Sequence, residues 1–182
     1  MIDKALILTG PRVTLRPLTL EDAVDLRDIR NDRKVCRLTF TEYPATLAKA
    51  RQIIKAAQIG ARTGTRYTLA IELKGQSGII GVVSLFEIDK THKNAEIGCV
   101  LARSHWRQGL MTEAMLLALQ FAFRKLRLRR VYAFISIKNI PPQRLVESLG
   151  FTREGLLRKC RFRGGKFRDY YVYGMLKEET PR

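Results

Sequence analysis

A short cationic loop, followed by a glycine and an apolar helical pattern, is the stretch of this sequence best suited to chemistry. It reads Trp106-Arg107-Gln108-Gly109-Leu110-Met111, and its glycine lets the backbone approach a ligand closely. The N–H groups of a helix that begins here, together with Arg103 and Arg107, would form a cradle for pyrophosphate. A lone glycine before a helix is more often an ordinary turn, so the residues alone leave both interpretations open.

The patterns on either side of this loop predict a strand before it and a helix after it. Asn94 to Leu101 is an apolar strand, and Thr112 to Lys125 carries apolar residues at helical spacing. Tyr67 to Leu73 and Ile79 to Ile88 flank the turn Lys74-Gly75-Gln76-Ser77-Gly78 and therefore predict a hairpin. The three strands together form an antiparallel meander.

Further helices and strands are predicted before and after this middle part. Before the middle part, the alternation and capping patterns give a strand at Arg12 to Arg16, a helix from Thr19 through Arg30 and a helix from Thr46 to about Ile59 that ends at Gly60. After it they give a strand at Val131 to Ile137 and a short helix that Pro141 and Pro142 open and Gly150 ends. A final hairpin is formed by Glu154 to Phe162 and Phe167 to Leu176 around Arg163-Gly164-Gly165-Lys166. The order β-α-α-β-β-β-α-β-α-β-β predicts an α/β domain built around a mixed sheet.

The composition allows one ordinary core and gives the chain a strong positive charge. The 182 residues are 46% hydrophobic, and 34 Lys plus Arg against 17 Asp plus Glu leave a formal charge of +17. One domain over residues 1–182 is therefore expected. A field of this sign favours anionic partners such as nucleotides or RNA and repels polycations, although a solvated basic surface explains the charge equally well.

Cysteines, histidines and apolar runs indicate where the protein works. Cys36, Cys99 and Cys160 are far apart and have only His92 and His105 as companions, so we expect reduced thiols and no metal site. The apolar stretch near Met1 is too short for a signal peptide, and no run approaches the roughly 20 apolar residues of a membrane span. A cytoplasmic protein without membrane insertion is expected.

The chain resembles the GNAT superfamily of N-acetyltransferases, especially the branch that contains the ribosomal-protein alanine N-acetyltransferases. The resemblance runs from Val13-Thr14-Leu15-Arg16-Pro17-Leu18 to Tyr173-Gly174-Met175-Leu176, and its most specific stretches are Glu96 to Leu101, Trp106 to Ala114 and Asn139 to Phe151. It implies one domain with a mixed, mostly antiparallel central sheet that is splayed at the cofactor site and flanked by helices. The family's phosphate loop is written Q/R-x-x-G-x-G/A, so Gly109 matches it while Trp106 and Met111 depart from its two ends.

The resemblance also implies a binding site for acetyl-coenzyme A. Backbone groups of Val100 and Leu101 would pair with the pantetheine arm, and Asn139 matches an asparagine that bonds the cofactor near its thioester, although a polar cap ahead of a helix is the alternative for Asn139. The pyrophosphate would be held by a continuous loop, namely Arg107, Gln108, Gly109, Leu110, Met111 and Thr112.

Glu96 is the candidate catalytic base for such a reaction. Attack on a thioester needs a neutral amine, and a carboxylate on the central strand can remove the ammonium proton through a water. Burial beside Ile97 and Val100 would raise its pKa toward the working range. The alternative is that Glu96 points outward and pairs with an arginine, because strand alternation alone does not fix its face.

No general acid can be transferred from the family. Relatives place a tyrosine seven residues after the asparagine or a serine three after it, whereas this chain has Val146 and Pro142 there. The proton for the leaving thiolate could then come from water or from a residue on another strand such as Cys99, or no acid is needed. Direct transfer within a ternary complex is expected. Cys99 is more naturally a small buried hydrophobe.

Three other features have two interpretations each. His105 is expected to be an exposed loop residue rather than a cofactor contact, and Trp106 to anchor its loop by packing rather than by stacking on adenine. The basic hairpin is either a solvated turn or an RNA or ribosome contact; its cations are Arg161, Arg163, Lys166 and Arg168.

Three functions follow from these residues. The first is an acetyl-coenzyme A dependent N-acetyltransferase for the N-terminal amine of a protein such as a ribosomal protein. The second is acetylation of a small amine, for which the +17 charge disfavours a polycation. The third is a noncatalytic RNA-binding protein with this fold. Acceptor choice is expected to lie in the loops after Asp32 and around Tyr43 and in the final hairpin, and the protein is expected to be a monomer or homodimer.

Overall fold

A mixed sheet with helices on both faces organises the chain in the computed structural model, which describes residues 6–38, 43–163 and 165–180. Within these ranges the sheet has eight strands in the order β1-β2-β3-β4-β5-β6-β8-β7. The strands are β1 (Leu8–Thr9), β2 (Val13–Pro17), β3 (Tyr67–Leu73), β4 (Gly81–Asp89), β5 (Asn94–Leu101), β6 (Arg130–Ser136), β7 (Thr152–Arg163) and β8 (Lys166–Leu176), and the helices are α1 (Ala23–Asn31), α2 (Arg33–Leu38), α3 (Leu47–Thr63), α4 (Leu110–Gln120) and α5 (Ile140–Ser148).

The sheet opens between its two middle strands. Every other neighbouring pair is antiparallel, but β5 and β6 run parallel and meet only at Asn94–Arg130, Ala95–Val131 and Glu96–Tyr132. Beyond Glu96 the two strands continue without pairing to Leu101 and Ser136. The splayed, mostly antiparallel sheet implied by the resemblance is therefore confirmed.

Each face of the sheet packs against its own helices. The larger core lies on the side of α4 and α5 and includes Ala95, Ile97 and Leu101 of β5. The smaller core lies under α1 and α3 and includes Ala70 and Val82. Because side chains alternate along a strand, Glu96, Gly98 and Val100 face the α1–α3 side, and Val100 indeed packs against that core.

The predicted second helix is longer than its sequence pattern indicated. Helix α3 passes through Gly60 and ends at Thr63, where Gly64 adopts φ 71° as the C-cap. A Cβ on Gly60 would lie 2.6 Å from the Cβ of Arg66, so this glycine permits close packing and does not end the helix. The prediction of a stop at Gly60 was wrong because glycine serves both purposes.

Other boundaries shift by small amounts. Helix α4 begins at Leu110 rather than Thr112, and its last predicted turn, Phe121–Lys125, is a wider π-type turn. Helix α2 and strand β1 were not predicted, since six and two residues carry too little periodicity. Of the predicted final turn, Gly164 lies outside the described residues. Within the described ranges, no helix has the length and apolarity needed to cross a membrane.

Candidate functional site

A cavity of about 870 Å³ lies where β5 and β6 separate. Its walls come from both faces of the sheet, because it is lined by residues of α4 and α5 as well as by residues of α1, α3 and the strands beneath them. All but one of the residues predicted as binding or catalytic line it, namely Glu96, Val100, Leu101, Arg107, Gly109, Leu110, Met111, Thr112 and Asn139. The cavity therefore passes through the sheet at the gap between its two halves.

The loop before α4 presents backbone N–H groups to one end of this cavity. Arg107 and Gly109 both adopt positive φ, 59° and 74°, and Leu110 begins the helix. The first intrahelical bond is donated by Glu113 to the Gly109 carbonyl at 3.1 Å, so the N–H groups of the three preceding residues have no acceptor within the helix. Such a first turn, with the positive end of the helix dipole behind it, suits a phosphate.

An ion pair from the residue just before β2 holds this loop in place. The Arg12 guanidinium donates to the Gln108 carbonyl at 2.8 Å and to the Glu113 carboxylate at 3.0 Å. The same carboxylate accepts the N–H groups of Arg12 and Val13 at 2.7 and 2.9 Å, and these bonds hold the pKa of Glu113 below its usual value against the opposing effect of burial. Strand β2 and the loop are thus fixed to each other.

Gln108 is the one predicted binding residue whose side chain turns away from the cavity. Its carbonyl accepts from Arg12, and its amide donates to the Ser104 carbonyl at 3.0 Å. The cofactor prediction for Gln108 therefore rests on its main-chain N–H alone.

The open edge of β5 offers main-chain groups to an extended ligand. Val100 is paired with Val82 of β4, and the Ala102 N–H donates to the Ile80 carbonyl at 2.8 Å. The main-chain N–H and C=O groups of successive residues point to opposite sides of a strand. Those of Val100 therefore point to β4, whereas those of Cys99 and Leu101 point into the gap. Of the two residues predicted to pair with a pantetheine arm, Leu101 has main-chain groups that point into the gap, as does Cys99, whereas those of Val100 point to β4.

Trp106 anchors the turn that follows β5. Its indole N–H donates to the Leu101 carbonyl at 2.8 Å, and the ring packs against the larger core. The prediction of packing is confirmed. His105 is partly exposed and contacts Ser104 and Gln76 at 2.9 and 3.3 Å.

Asn139 lies where β6 leads into α5 and lines the cavity. Its N–H donates to the Ser136 carbonyl at 2.9 Å, and the residue is buried. Asn139 occupies the N-cap position of α5, but its side chain makes no capping hydrogen bond to the helix. Two residues at the positions of the family's acids, Pro142 and Val146, line the same wall with apolar groups.

Glu96 is buried in the cavity wall at the end of the β5–β6 contact. Only 5% of the residue is exposed, and burial raises the pKa of its carboxyl to about 7, with Glu87 adding to the rise and Arg161 opposing it. An Arg161 Nη2 atom lies 3.6 Å from Glu96 Oε1. Glu96 therefore shows a feature of each interpretation: its carboxylate faces the cavity, as a catalytic base would, and it also has an arginine beside it.

Cys99 is a poor proton donor despite lining the cavity. Burial raises the pKa of its thiol to about 12. Transfer from such a thiol to a thiolate of ordinary pKa, about 8.5, would be uphill by roughly 5 kcal/mol. Tyr170, which sequence patterns did not indicate, is buried and lines the same cavity.

Several lining residues on the Glu96 side were missed from the sequence. They come from separate segments and include Arg30, Arg66, Phe86, Phe134, Arg161 and Tyr170. The pairing of β3 with β4 and of β4 with β5 would have located Arg66 and Phe86, because it places both on the same face of the sheet as Glu96. Two cations of the predicted basic hairpin turn inward: Arg161 reaches the cavity, and Arg163 donates to the Cys36 carbonyl.

Comparison with known proteins identifies relatives of this fold and site. The model of the acetyltransferase (GNAT) domain matches residues 12–152. An uncharacterised N-acetyltransferase of Bacillus licheniformis, p20, is 32% identical over 168 residues, which cover 92% of this chain and 94% of that protein. Spermidine N(1)-acetyltransferase of Vibrio cholerae serotype O1 is 26% identical over 158 residues, covering 87% and 89%. The structure of Mycobacterium smegmatis RimJ in complex with CoA-disulfide has a TM-score of 0.84 at 25% identity and covers 95% of this chain and 88% of that one.

Proposed function

The chain belongs to the GNAT family of acetyltransferases, and we propose that it transfers the acetyl group of acetyl-coenzyme A to the N-terminal α-amine of a protein. The observation that carries the proposal is the buried carboxylate of Glu96 in a cavity that crosses the sheet. The donor would lie on the α4 side and the amine on the α1–α3 side.

The donor fits the residues on the α4 side. The main-chain groups of Cys99 and the N–H of Leu101 on the open edge of β5 can pair with a pantetheine arm as an added strand would, whereas the Leu101 carbonyl already accepts from Trp106. The first turn of α4, with Arg107, would hold the pyrophosphate. Asn139, which lines the same cavity, would bond the donor near its thioester. The bound thioester supplies the electrophilic carbonyl carbon.

Glu96 would act as the base for the incoming amine. It accepts one proton of the ammonium, directly or through a water, and the freed nitrogen lone pair attacks the thioester carbonyl carbon. The carbon–sulfur bond then breaks, and the second nitrogen proton neutralises the departing thiolate. Because Pro142 and Val146 offer no proton and Cys99 is a poor donor, we assign no side chain as the acid.

The pKa of the base favours an α-amine over a lysine or polyamine nitrogen. With the pKa of Glu96 at about 7, proton transfer from an α-ammonium of pKa about 8 is uphill by roughly 1.4 kcal/mol. Transfer from a lysine-type ammonium of pKa about 10.4 is uphill by roughly 4.6 kcal/mol. An α-ammonium is therefore easier for this carboxylate to deprotonate at neutral pH than a lysine or polyamine ammonium.

The test is a thiol-release assay with acetyl-coenzyme A and matched acceptors. One peptide set has a free N terminus and no lysine, including the N termini of ribosomal proteins, and a second has a blocked N terminus and one lysine. Spermidine and a donor-only reaction complete the panel. Release with the first set alone, and mass-spectrometric location of the acetyl group on the α-amine, are expected. Faster release with the lysine peptides or spermidine would overturn the proposal.

A further inference from the structure

Cations dominate the side of the cavity on which the acceptor would bind. Among the described residues that line the cavity, five arginines face one carboxylate, that of Glu96. Arg107 and Arg144 belong to the segments on the α4 and α5 side, but the other three lie elsewhere. They are Arg30 at the end of α1, Arg66 just before β3 and Arg161 on β7.

Arg66 lies in one row with Glu96 across the sheet. The register pairs Phe86 with Glu96, and its continuation from Tyr67–Leu85 places Arg66 opposite Phe86. Two strand spacings of about 4.8 Å therefore separate Arg66 from Glu96. The Arg66 guanidinium carbon lies 5.4 Å from the centre of the Phe86 ring, and within the described ranges no carboxylate is within ion-pair distance of Arg66.

Arg161 approaches Glu96 from the opposite half of the sheet. Its guanidinium carbon lies 5.1 Å from the centre of the Phe134 ring and 5.9 Å from that of Tyr170. Aromatic faces on two sides hold this planar group in place, and a planar guanidinium matches the geometry of a carboxylate or phosphate. Glu96 thus lies between two arginines that are each fixed on aromatic rings.

We propose that the acceptor carries an anionic group, a carboxylate or a phosphate, close to its reactive amine, and that Arg66 and Arg161 bind that group. This inference rests on the proposed function for the position of the amine. For a protein N terminus it specifies an acidic or phosphorylated side chain within the first two residues, since one residue step is about 3.8 Å and the side chain adds the rest.

The donor's own phosphates do not account for these arginines. The pyrophosphate cradle is at the start of α4, where Arg107 already lies, whereas Arg66 shares the face of Glu96 on the α1–α3 side. A polyamine is disfavoured on this side of the cavity, because it would bring further positive charge against Arg30, Arg66 and Arg161. The acceptor side of the cavity is therefore cationic, whereas a polycation such as spermidine would require an anionic site.

The first experiment compares kcat/KM for peptides that differ at one position. Peptides that begin Ala-Glu, Ala-Gln and Ala-Lys are tested with the wild-type protein, beside glutamate and aminoethyl phosphate as small anionic amines. We expect Ala-Glu to exceed Ala-Gln at least tenfold and Ala-Lys to be slowest. Preference for the small amines would assign the anion to a free metabolite, whereas equal rates for the three peptides would overturn the inference and leave the proposed function standing.

Variants then show whether the preference is local. Arg66→Gln should reduce the Glu/Gln ratio to about twofold, whereas Arg124→Gln, which removes the same charge from an exposed position outside the cavity, should retain the full ratio. Equal loss in both variants would mean that the overall +17 field produces the preference, and the assignment to Arg66 would be wrong.

A binding measurement separates this inference from the catalytic proposal. Calorimetry with the protein, coenzyme A and the product peptides N-acetyl-Ala-Glu and N-acetyl-Ala-Gln needs no turnover. Tighter binding of the acidic product to wild type, lost in Arg66→Gln, is expected. If no acceptor is acetylated but this difference persists, the proposed function fails and the anion site remains; equal binding of the two products overturns the anion site.

Discussion

The two sides of the cavity are built from different kinds of groups. On the α4 side a ligand meets main-chain N–H groups of one continuous loop, which the Arg12–Glu113 pair holds in place. On the α1–α3 side it meets side chains from strands far apart in sequence, with Glu96 between Arg66 and Arg161. A shared co-substrate can be bound largely by backbone groups, whereas the choice of acceptor depends on which side chains the fold brings together.

The largest expected effect is on the α4 side, from Gly109→Glu. Gly109 has φ 74°, and a Cβ there would lie 3.2 Å from Arg12 Nη2. A carboxylate about 4 Å from another negative charge costs about 4 kcal/mol at the effective dielectric of a protein surface, and the new side chain would begin in the loop proposed to hold the pyrophosphate. We expect the Kd for coenzyme A, measured by calorimetry, to rise about 1,000-fold.

Gly75→Glu is the matched control for this variant. Gly75 has φ 81° with open space around it, in the β3–β4 turn outside the cavity. The Gly75→Glu variant therefore adds the same charge at a residue with similar backbone strain. If Gly75→Glu weakened binding as much as Gly109→Glu, the α4 loop would not be the site of the phosphates.

Next in size is the loss of turnover in Glu96→Gln. Removal of a general base lowers kcat about 100-fold, while the Kd for coenzyme A should stay within about twofold because Glu96 lies on the other side of the cavity. The wild-type rate should rise with pH through about 7 as Glu96 ionises, and this limb should disappear in the variant.

Glu154→Gln provides the control for the kinetic experiment. Glu154 makes a 2.5 Å ion pair with Arg130 outside the cavity, so the substitution changes the net charge equally. Wild-type kcat in Glu96→Gln would remove Glu96 from the mechanism, and a 100-fold loss in both variants would show that charge alone is responsible.

Glu96 should also lower the stability of the fold when it is ionised. Its folded pKa of about 7 lies above the ordinary value of 4.5, so the folded state binds more protons than the unfolded state between these values, and stability falls as pH rises through this window. Relative to wild type, Glu96→Gln should therefore gain stability between pH 4.5 and pH 8 in urea unfolding, and a constant difference would contradict the raised pKa.

The smallest effect is expected for the brace of the α4 loop. Arg12→Gln removes the bond to the Gln108 carbonyl and the pair with Glu113. Because Arg12 is half exposed, its pair contributes only about 1 kcal/mol, so the Kd for coenzyme A should rise about fivefold. Arg27→Gln, which breaks a pair with Asp28 on α1, should leave the Kd unchanged; equal effects would show that the brace is irrelevant to binding.

Sequence patterns located the parts of the fold that depend on local periodicity. The bounds predicted for β3 and β5, Tyr67–Leu73 and Asn94–Leu101, are those of the structure. Glycine was harder to interpret, since Gly60 allows Arg66 to approach the helix closely while Gly64 ends the helix. A residue type therefore indicates a short list of roles, and only the neighbours decide among them.

The candidate site was predictable on one side and not on the other. The α4 loop is contiguous, so its glycine and its family resemblance were visible together. Arg161 could not be placed, because the β7–β8 register shifts between Leu157 and Arg161 and Lys159 adopts φ 50°, which interrupts the alternation that predicts a face. The loop proposed to choose the acceptor after Asp32 is described only in part, since residues 39–42 lie outside the described ranges.

The short contact between β5 and β6 also affects how the protein unfolds locally. Within the sheet, three residue pairs join the block of β1 to β5 to the block of β6, β7 and β8. A donor paired along the open edge of β5 would behave as a removable ninth strand between them. We expect amide hydrogen exchange to report two separate opening free energies in the free protein and one shared value with coenzyme A bound. The ligand would thereby set the size of the cooperative folding unit.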